Sequence, residues 1–369
     1  MKILITGADG FIGRNLTAEF RNRGYSELLL NDVDTPHALL DEYTASCDFV
    51  YHLAGVNRPE NPEDFMAGNH GFTSVLLDRL KRHNNKAPIL MSSSIQAERD
   101  NPYGRSKKAA EVLLAAYGQE TGTRVFPYRL PNVFGKWCRP NYNSVVATFC
   151  HNIASGLPIQ IHDPDAGLSL VYIDDVVSAF VRMINDEETF GGGFCVVEPV
   201  YSVTVGQVAE LIRTFRDSRT SLSVPRLDDS FEKKLYSTYL SYLPTDGFSY
   251  ALNMNVDQRG SFTEFMRTQD RGQISVNISN PGITKGNHWH HTKVEKFLVV
   301  YGSGVIRFRQ IDRTEVIEYP VSGDMLSVVD IPPGYTHSLV NTGDTDMVTL
   351  IWANECLDPE RPDTYALEV

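Results

Sequence analysis

Two patterns of hydrophobic and polar residues follow one another along the chain. Up to about residue 185, short apolar runs of strand type alternate with longer stretches of helical periodicity. This alternation predicts an α/β fold, with a parallel sheet and helices on both of its faces. The predicted strands of this part are KILIT, ELLLN, DFVYHLAG, APILMSS and TRVFPYRL.

From about residue 248 the helical periodicity disappears. Short alternating segments follow, separated by Gly, Pro, Asn and Asp, and strands at this spacing predict an all-β sandwich or barrel. We place the boundary at LPTDGFS and predict two domains, residues 1–247 and 248–369. The predicted strands of the second domain are GQISVNIS, EKFLVVYG, GVIRFRQI, TEVIEYP, DMLSVVDIP and MVTLIWAN, and a helix is predicted before the boundary in TVGQVAELIRTFRDS.

The composition is that of a soluble globular protein, with 42% hydrophobic residues, 22% charged residues and a formal charge of −12. Because nucleic-acid-binding proteins usually carry a basic face, this balance argues against that class of partner. No signal-peptide pattern is evident, and no apolar stretch approaches the roughly 18 residues of a membrane span. The five cysteines are scattered and form no CxxC pair, as in reduced intracellular proteins. We therefore expect a cytoplasmic protein that binds neither nucleic acid nor membranes.

The segment TGADGFIG carries Gly7, Gly10 and Gly13 between a predicted strand and a predicted helix. Glycines at these positions let the backbone turn sharply and approach a pyrophosphate at the helix N-terminus. Three glycines alone are weak evidence. The strand before them and the helix after them, however, predict a dinucleotide cofactor.

The segment YGRSK places Tyr103 and Lys107 four residues apart, on one face if the segment is helical. Tyrosine, with a pKa of about 10, is a poor acid–base group near neutrality, but a nearby ammonium favours its phenolate. Tyr103 can then exchange a proton with a carbonyl group, and Ser93 or Ser94, at a strand end, can hydrogen-bond the same oxygen. An isolated YxxxK is more often a surface helix pair, but the glycine loop and the serines favour the catalytic interpretation.

The first 240 or so residues resemble the extended short-chain dehydrogenase/reductase family, whose domain is Rossmann-like. Further landmarks of that resemblance are VYHLAG at 50–55, Asn69, RLPNVFG at 129–135 and LVYIDDVVSAF at 170–180. The resemblance implies that Tyr103 is the acid–base residue, that Lys107 is its partner and a ligand of the cofactor ribose, and that Ser94 or Ser93 anchors the carbonyl. The implied cofactor-binding residues are Gly7, Gly10, Phe11, Ile12, Gly13, Arg14, Asn31, Asp32, Leu53, Ala54, Gly55, Asn69, Tyr103 and Lys107.

Two departures from the family pattern bear on the chemistry. The sugar dehydratases of the family carry an Asp-Glu pair after the serine or threonine, whereas this chain has Ile95 and Gln96. Dehydratase chemistry therefore lacks its acid and its base. Tyr103 lies only nine positions after Ser94, a shorter spacing than in many relatives, so both Ser93 and Ser94 stay open as the anchor.

The end of the second predicted strand bears on the choice of cofactor. Asn31 stands where an acid that selects NAD often lies, and Asp32 follows it. An acid there binds the ribose 2′-hydroxyl and repels a 2′-phosphate, so Asn31 favours NADPH. Arg14, just after the glycine loop, can meet the phosphate. Asp32 is the argument for the alternative, NADH.

The segment GNHWHHTKVEKF concentrates metal-ligating side chains. On a strand, His288 and His290 share one face, and a turn or bulge at Thr292-Lys293 would bring Glu295 to the same place. PPGYTH offers His337 from a neighbouring strand. Imidazoles and a carboxylate make a divalent metal site with room for water or substrate, and zinc is the metal we expect, with iron, manganese and nickel open.

The pattern HxH…E, then Gly302, then PPGYTHSLVN resembles the two motifs of the cupin family over roughly residues 250–360. It implies a double-sheet β-barrel with His288, His290, Glu295 and His337 as metal ligands and with His291 pointing away. GITKGNHWHH also resembles the sugar epimerases among the cupins, which typically use no metal. Lys285 and His288 fall on that catalytic pattern, so His288 is ligand, base or both.

The fusion of these two domains resembles the bifunctional nucleotide-sugar enzymes of capsule and O-antigen synthesis. It implies that the cupin epimerises C3 of a UDP-2-acetamido-2,6-dideoxy-4-keto-hexose. The reductase would then use NADPH at C4 to give UDP-2-acetamido-2,6-dideoxy-L-talose, a precursor of UDP-N-acetyl-L-fucosamine. We expect a homo-oligomer, either a dimer or a tetramer. The alternatives are an NAD-dependent epimerase with a structural or regulatory cupin, and a non-enzymatic sugar-binding scaffold.

Overall fold

The computed structural model describes residues 1–185, 190–191, 194–268 and 270–369. The chain packs as two compact units. The first consists of Met1–Arg213 with Leu227–Pro244, and the second consists of Thr214–Arg226 with Thr245–Val369. The short segment Thr214–Arg226 therefore groups with the second unit although it precedes the last segment of the first.

The first unit contains a parallel β-sheet, as the alternating pattern predicts. Its strands are β1 (Ile3–Thr6), β2 (Leu28–Asn31), β3 (Phe49–His52), β4 (Ile89–Ser94), β5 (Val125–Leu130), β6 (Asn132–Phe134), β7 (Gly167–Tyr172), β8 (Phe190–Gly191), β9 (Phe194–Cys195) and β10 (Tyr201–Thr204). Among the described residues the main sheet has the order β2-β1-β3-β4-β5-β9-β8, with β8 antiparallel to β9. A smaller sheet has the order β10-β7-β6.

Helices cover both faces of the main sheet. The α-helices of the described residues are α1 (Phe11–Asn22), α2 (His37–Ser46), α3 (Phe72–Arg82), α4 (Pro102–Thr121), α5 (Val145–Ala154), α6 (Ile173–Arg182), α7 (Val205–Ser221) and α8 (Ser230–Leu240), and α7 begins in the first unit and ends in the second. Ile3 and Ile5 pack in one hydrophobic cluster with residues of α1 and α6. Leu4, between them, packs in another with residues of α3 and α4. Because successive strand residues point to opposite faces, both faces of β1 are buried, as the continuous apolar run predicts.

The helix α4 begins and ends at residues that suit its termini. The Asn101 side chain accepts a hydrogen bond from the Gly104 N–H at 2.7 Å, and Pro102 occupies the first turn, where its missing N–H costs nothing. Gly122 follows the last turn with φ of +72°, a conformation that glycine adopts without strain. This N-terminal cap fixes the start of the helix directly before Tyr103.

From Asn255 onward the second unit is built of antiparallel β-strands, as predicted. Its strands are β11 (Asn255–Asp257), β12 (Gly260–Thr268), β13 (Gly272–Ser279), β14 (Thr284–Trp289), β15 (Glu295–Tyr301), β16 (Ser303–Gln310), β17 (Val316–Ser322), β18 (Val328–Ile331), β19 (Tyr335–Asn341), β20 (Met347–Ala353) and β21 (Tyr365–Ala366). The described strands form two sheets, β11-β12-β13-β20-β15-β18 and β17-β16-β19-β14-β21. Phe297 and Val299 of one sheet share a hydrophobic core with Ile306, Phe308 and Leu339 of the other. This two-sheet arrangement is consistent with a cupin barrel.

Single-turn helices complete the two units. They are a π-helix at Met66–Gly71 and 3₁₀ helices at Ile95–Glu98, Met183–Asn185 and Thr245–Gly247. No helix in the part of the chain that the structure describes combines the length and the apolar character needed to cross a bilayer. The predicted fold class is confirmed in both parts: a parallel Rossmann-like sheet, then antiparallel β-structure.

Candidate active sites

The glycine loop of the first unit leaves no room for side chains. Gly7 has φ of +70°, and a Cβ on it would lie 2.7 Å from the backbone nitrogen of Ala54. A Cβ on Gly13 would lie 2.1 Å from the Gly7 carbonyl oxygen. Gly10 precedes α1 and provides no side-chain cap, which leaves the first N–H groups of the helix available to an anion. The loop therefore fits a pyrophosphate.

The predicted cofactor-binding residues lie along one edge of the parallel sheet. Strands β2, β1, β3 and β4 are neighbours, so their carboxyl ends meet at this edge, where doubly wound folds bind nucleotides. Gly55, which follows β3, lies close to both Asn69 and Lys107. A Cβ on it would lie 2.8 Å from Asn69 Oδ1 and 3.0 Å from Lys107 Nζ. The residues at or near this edge are Gly7, Gly10, Phe11, Ile12, Gly13, Arg14, Asn31, Asp32, Leu53, Ala54, Gly55 and Asn69.

Asn69 holds the loop that follows β3. Its Oδ1 accepts from the Val56 N–H at 2.9 Å, and its Nδ2 donates to the Val56 carbonyl at 3.1 Å. The same Nδ2 donates to Ser106 Oγ at 2.9 Å, on α4. A single buried amide therefore joins the loop to the helix that carries Tyr103 and Lys107.

Asn31 and Asp32 differ in environment at the end of β2. Asn31 is buried, and its backbone carbonyl accepts a hydrogen bond from the Ala8 N–H. The Asp32 carboxylate lies at the glycine loop, where it accepts from the Asp9 N–H at 2.7 Å and from the Val33 N–H at 2.8 Å. The Asp32 carboxylate therefore contacts the glycine loop directly.

Arg14 is exposed, and its guanidinium carbon lies 5.4 Å from the centre of the Trp137 ring. The Lys136 ammonium approaches the same ring at 5.6 Å. Both cations interact favourably with the indole face. Trp137 follows the RLPNVFG landmark, and the sequence gives no signal that it would pair with Arg14.

Tyr103, Lys107 and Ser94 come together where α4 begins beside the end of β4. Burial raises the pKa of the Tyr103 phenol, and a hydrogen bond with the Ser94 side chain opposes that rise. Lys107 is buried, donates from Nζ to the Ser92 carbonyl at 3.2 Å and lies 6.0 Å from the centre of the Tyr103 ring. Burial lowers the Lys107 pKa to about 8. The three predicted groups are therefore near neighbours.

Ser93 has a different partner. Its Oγ donates to Glu111 Oε1 at 2.6 Å, and both residues are buried. Glu111 also accepts from Arg129 Nε at 2.9 Å and from Arg129 Nη2 at 2.8 Å. Sequence reasoning missed Glu111, although its position four residues after Lys107 places it on the same helix face.

The histidines and the glutamate of the second unit form one cluster. The ligand atoms of His288, His290, Glu295 and His337 all lie within 4.8 Å of one another. Glu295 Oε2 is 3.3 Å from His290 Nε2 and 3.4 Å from His337 Nε2. Within the described residues, neither ring nitrogen of His337 has a hydrogen-bond partner, although both are buried. Buried polar atoms normally have partners, so these nitrogens fit a metal ligand.

The charge states within the cluster differ. Burial lowers the pKa of His290, but its contacts with Glu295 and the Asp363 carbonyl outweigh burial and raise it, so a metal there would displace a proton from that ring. Burial lowers the pKa of His288 to about 4, so its ring is neutral at pH 7. Burial alone would raise the pKa of the Glu295 carboxyl, but its contacts with His290 and His337 lower it well below the usual range. Neutral imidazoles and an ionised carboxylate are the forms that bind a divalent metal.

A bulge in β14 brings Lys285 and His288 to the same face. Lys285 pairs with Leu339 and His288 pairs with His337, so Asn287, with φ of +57°, is an extra residue. Opposed residues share a face, and Leu339 and His337 both face the barrel core. Lys285 lies outside the histidine cluster: its Nζ donates to Asn277 Oδ1 at 2.9 Å, the Ile278 carbonyl at 2.7 Å and the Ser261 carbonyl at 3.3 Å.

Asp363, which sequence reasoning missed, supports the cluster from the end of the chain. Its carbonyl contacts His290 Nδ1 at 2.6 Å. Its carboxylate accepts from backbone N–H groups of the bend that leads from His290 to Glu295. His291 is exposed, packs against Trp289 and Tyr365, and lies outside the cluster.

Two protein-family models match the chain. The NAD dependent epimerase/dehydratase family matches residues 3–194, and the Polysaccharide biosynthesis C-terminal domain matches residues 255–365. The two matches fall on the parallel-sheet part and on the antiparallel part of the structure. They cover the glycine loop and Tyr103 in one case and the histidine cluster in the other.

Individual relatives match over the full length. A Pseudomonas aeruginosa protein named UDP-2-acetamido-2,6-beta-L-arabino-hexul-4-ose reductase is 48% identical, over 100% of this chain and 99% of its own. The crystal structure of the capsular polysaccharide assembling protein CapF from Staphylococcus aureus is 55% identical, covers 100% of both chains and has a TM-score of 0.96. A structure of CapF with the inhibitor 3-isopropenyl-tropolone is 51% identical, again over 100% of both chains, with a TM-score of 0.91. With Tyr103, Lys107 and the glycine loop in place, this chain belongs to the NAD-dependent epimerase/dehydratase family, as a full-length relative of CapF.

Proposed function

We propose that this chain is a bifunctional nucleotide-sugar enzyme of capsular polysaccharide or O-antigen synthesis. The second unit epimerises C3 of a UDP-2-acetamido-2,6-dideoxy-4-keto-hexose, and the first reduces the C4 ketone with NADPH to UDP-2-acetamido-2,6-dideoxy-L-talose. The observation that carries the proposal is the buried Lys107, whose Nζ lies 6.0 Å from the centre of the Tyr103 ring, with Ser94 beside that tyrosine at the end of β4. The full-length relative named for reduction of a 4-ulose supports the substrate.

In the reduction, a nicotinamide cofactor held by the first unit would supply the hydride that C4 receives. Tyr103 donates its proton to the ketone oxygen, and Ser94 hydrogen-bonds that oxygen and so orients it. The charge of Lys107 stabilises the phenolate that Tyr103 becomes. Ser93 is committed to Glu111, which favours Ser94 as the anchor. The N–H groups around Gly7, Gly10 and Gly13 would hold the pyrophosphate, and Lys107 the ribose.

For the cofactor we propose NADPH. Asn31 brings no negative charge to the end of β2, and Arg14 brings an exposed positive charge to the start of α1. Asp32 favours the alternative, NADH, because its carboxylate lies at the glycine loop. Two backbone N–H groups already bind that carboxylate, which disperses its charge and weakens its repulsion of a 2′-phosphate.

In the epimerisation, a divalent metal, for which we propose Zn²⁺, would supply a Lewis acid that stabilises the enolate oxygen. His290, Glu295 and His337 are buried and would hold the metal, whereas His288 is partly exposed. A neutral, partly exposed imidazole can take the proton from C3, so His288 serves as base, as ligand or as both. Lys285 already donates three hydrogen bonds, so a catalytic role for it requires breaking one of them.

The test is NMR of the products from a 4-keto UDP-sugar in D₂O. Without NADPH, we expect deuterium at C3 and no reduction; with NADPH, we expect the 6-deoxy-talose product and one NADPH oxidised per product. Turnover without net oxidation of NADPH would favour an epimerase that recycles its hydride, the activity that Asp32 would suit. Absence of any turnover would overturn the proposal and favour a sugar-binding scaffold.

A further inference from the structure

The last residues of the chain pass along the candidate metal centre. We name residues 363–367 the C-terminal strap. Within it, β21 pairs with the end of β14, so that Ala366 lies opposite His288 and Tyr365 opposite Trp289. The Leu367 N–H donates to the Asn287 carbonyl at 3.0 Å, which fixes the strap beside the bulge.

Asp363, at the start of the strap, accepts four hydrogen bonds with its carboxylate from the loop that joins His290 to Glu295. Its Oδ1 accepts from the His291 N–H at 3.0 Å, and its Oδ2 accepts from the N–H of Thr292 at 2.8 Å and of Lys293 at 2.9 Å. The Thr292 hydroxyl donates to the same Oδ2 at 3.1 Å. All these groups belong to the five-residue step from His290 to Glu295, so one carboxylate holds the connection between two candidate ligands.

The backbone of Asp363 acts on His290 itself. Its carbonyl oxygen lies 2.6 Å from His290 Nδ1, and a carbonyl only accepts, so Nδ1 carries the proton. Nε2 is then the nitrogen left to bind a metal, and it faces Glu295 Oε2 at 3.3 Å, so a metal there would take the place of a proton shared with that carboxylate. Asp363 has φ of +36°, a region that residues other than glycine rarely occupy. In this conformation the carbonyl and the carboxylate both reach the same loop.

We propose that Asp363 is the positioning residue of the metal centre. Its carbonyl fixes the ring orientation and tautomer of His290, and its carboxylate fixes the bend that carries the chain to Glu295. The inference rests on the proposed metal binding and extends it to a residue 73 positions away from His290 in sequence. Partners of this kind typically change metal affinity about 10–100-fold when they are removed.

The first experiment measures Zn²⁺ affinity by competition with a chromophoric chelator, using the full chain. We expect Asp363→Ala to weaken Zn²⁺ binding about 10–100-fold. Asp358→Ala is the matched control, because Asp358 lies on the same tail and its contacts, with Glu360 and Arg361, stay within that tail. The control should bind Zn²⁺ like the wild type. Thermal unfolding of the metal-free proteins shows whether each variant is folded at the temperature of the titration.

A second readout reports the tautomer without any metal. In ¹⁵N-histidine-labelled wild-type protein, recorded at a pH at which the His290 ring is neutral, His290 should show the Nδ1–H tautomer, and in Asp363→Ala that signal should give way to a mixture. If Asp363→Ala does not fold, Asp363→Asn, which keeps the size and one acceptor oxygen, should give a smaller loss of affinity and the same direction of tautomer change.

The outcomes separate the two proposals. A wild-type chain that binds no Zn²⁺ would refute the metal centre. A wild-type chain that binds Zn²⁺, together with a folded Asp363 variant of equal affinity and unchanged His290 tautomer, would refute the role of Asp363 alone.

Discussion

Ser93 and Ser94 are consecutive residues of β4, yet their hydroxyl groups have partners in different networks. Ser93 Oγ donates to the buried carboxylate of Glu111 at 2.6 Å, whereas Ser94 Oγ accepts from the Gln96 N–H at 3.2 Å and lies close enough to Tyr103 to oppose the rise that burial causes in the pKa of its phenol. Successive residues of a strand point to opposite faces, which explains the separation. The spacing in the sequence leaves both serines open, and the structure distinguishes them.

This separation predicts that alanine substitution of Ser94 affects activity, whereas alanine substitution of Ser93 affects stability. Ser94→Ala should lower kcat/KM for NADPH-dependent reduction by about 10²-fold, the low end of the range for a group acting on the transferring proton, with NADPH binding unchanged. Ser93→Ala should retain activity but lower the free energy of unfolding by about 1 kcal/mol, since Glu111 loses one donor. Steady-state kinetics and chemical denaturation measure the two effects. The reverse assignment of activity loss would show that Ser93 anchors the ketone.

Tyr103→Phe should keep the fold and the affinity for NADPH but reduce turnover by about 10²-fold or more, because only the transferable proton is lost. Tyr117→Phe is the matched control, because Tyr117 lies on the same helix but its hydroxyl contacts the Asn85 carbonyl, at 3.4 Å, instead of the catalytic groups. NADPH oxidation followed by absorbance measures both. Near-normal oxidation by the Tyr103 variant would refute its role as the acid.

NADPH affinity should depend on pH through Lys107. Its pKa in the free protein is lowered to about 8, so Lys107 is charged below that pH and loses its proton above it. A dinucleotide binds the charged form better, so its dissociation constant should rise as the pH increases through about 8. Fluorescence titration between about pH 6.5 and 9.5 measures this.

Two variants locate the effect. Lys107→Met should bind NADPH weakly, with no pH dependence in this range. Lys108→Met, which removes the neighbouring exposed ammonium, should keep the wild-type profile. A wild-type affinity that is flat across the range would contradict the prediction.

Removing the carboxylate at the glycine loop should favour NADPH. Asp32→Asn removes one negative charge while keeping an oxygen that can accept from the Asp9 N–H. We expect the NADPH/NADH preference to rise about tenfold, since one charge contact in a partly screened site is worth roughly 1–2 kcal/mol. Dissociation constants for both cofactors give the ratio. An unchanged ratio would mean that Asp32 does not approach the 2′-position.

The two chemistries should be separable by mutation. With substrate in D₂O and no NADPH, His290→Ala and His337→Ala should lose deuterium uptake at C3, because each removes a candidate ligand. Tyr103→Phe should still exchange. His291→Ala is the matched control, since that ring is exposed and lies outside the cluster. Exchange that requires Tyr103 and ignores His290 and His337 would refute the division of labour.

The regular elements could be predicted from sequence because each is encoded locally. The run KILIT becomes β1, EKFLVVYG contains β15, and TVGQVAELIRTFRDS becomes most of α7. The histidine cluster was also foreseeable, since alternation along one strand relates His288 and His290. Asp363 was not, because no periodicity connects an irregular segment near residue 363 with a bend some 70 residues earlier. The contacts of Lys285 were hidden for a similar reason: they depend on the register of β13.

The bulge at Asn287 also determines which changes of length β14 can accept. If β14 lost the bulge but kept Asn287, plain alternation would return along the strand. The side chain of Lys285 would then point to the opposite face of the sheet from His288. The ammonium would leave the barrel, and Asn277 Oδ1 would lose its donor. Loss of the bulge without a shorter strand would therefore have two effects in the barrel interior, the loss of the Lys285 ammonium and an unpaired Asn277 oxygen. Proteins of this architecture without the bulge should carry their interior basic residue two positions before the histidine, instead of three.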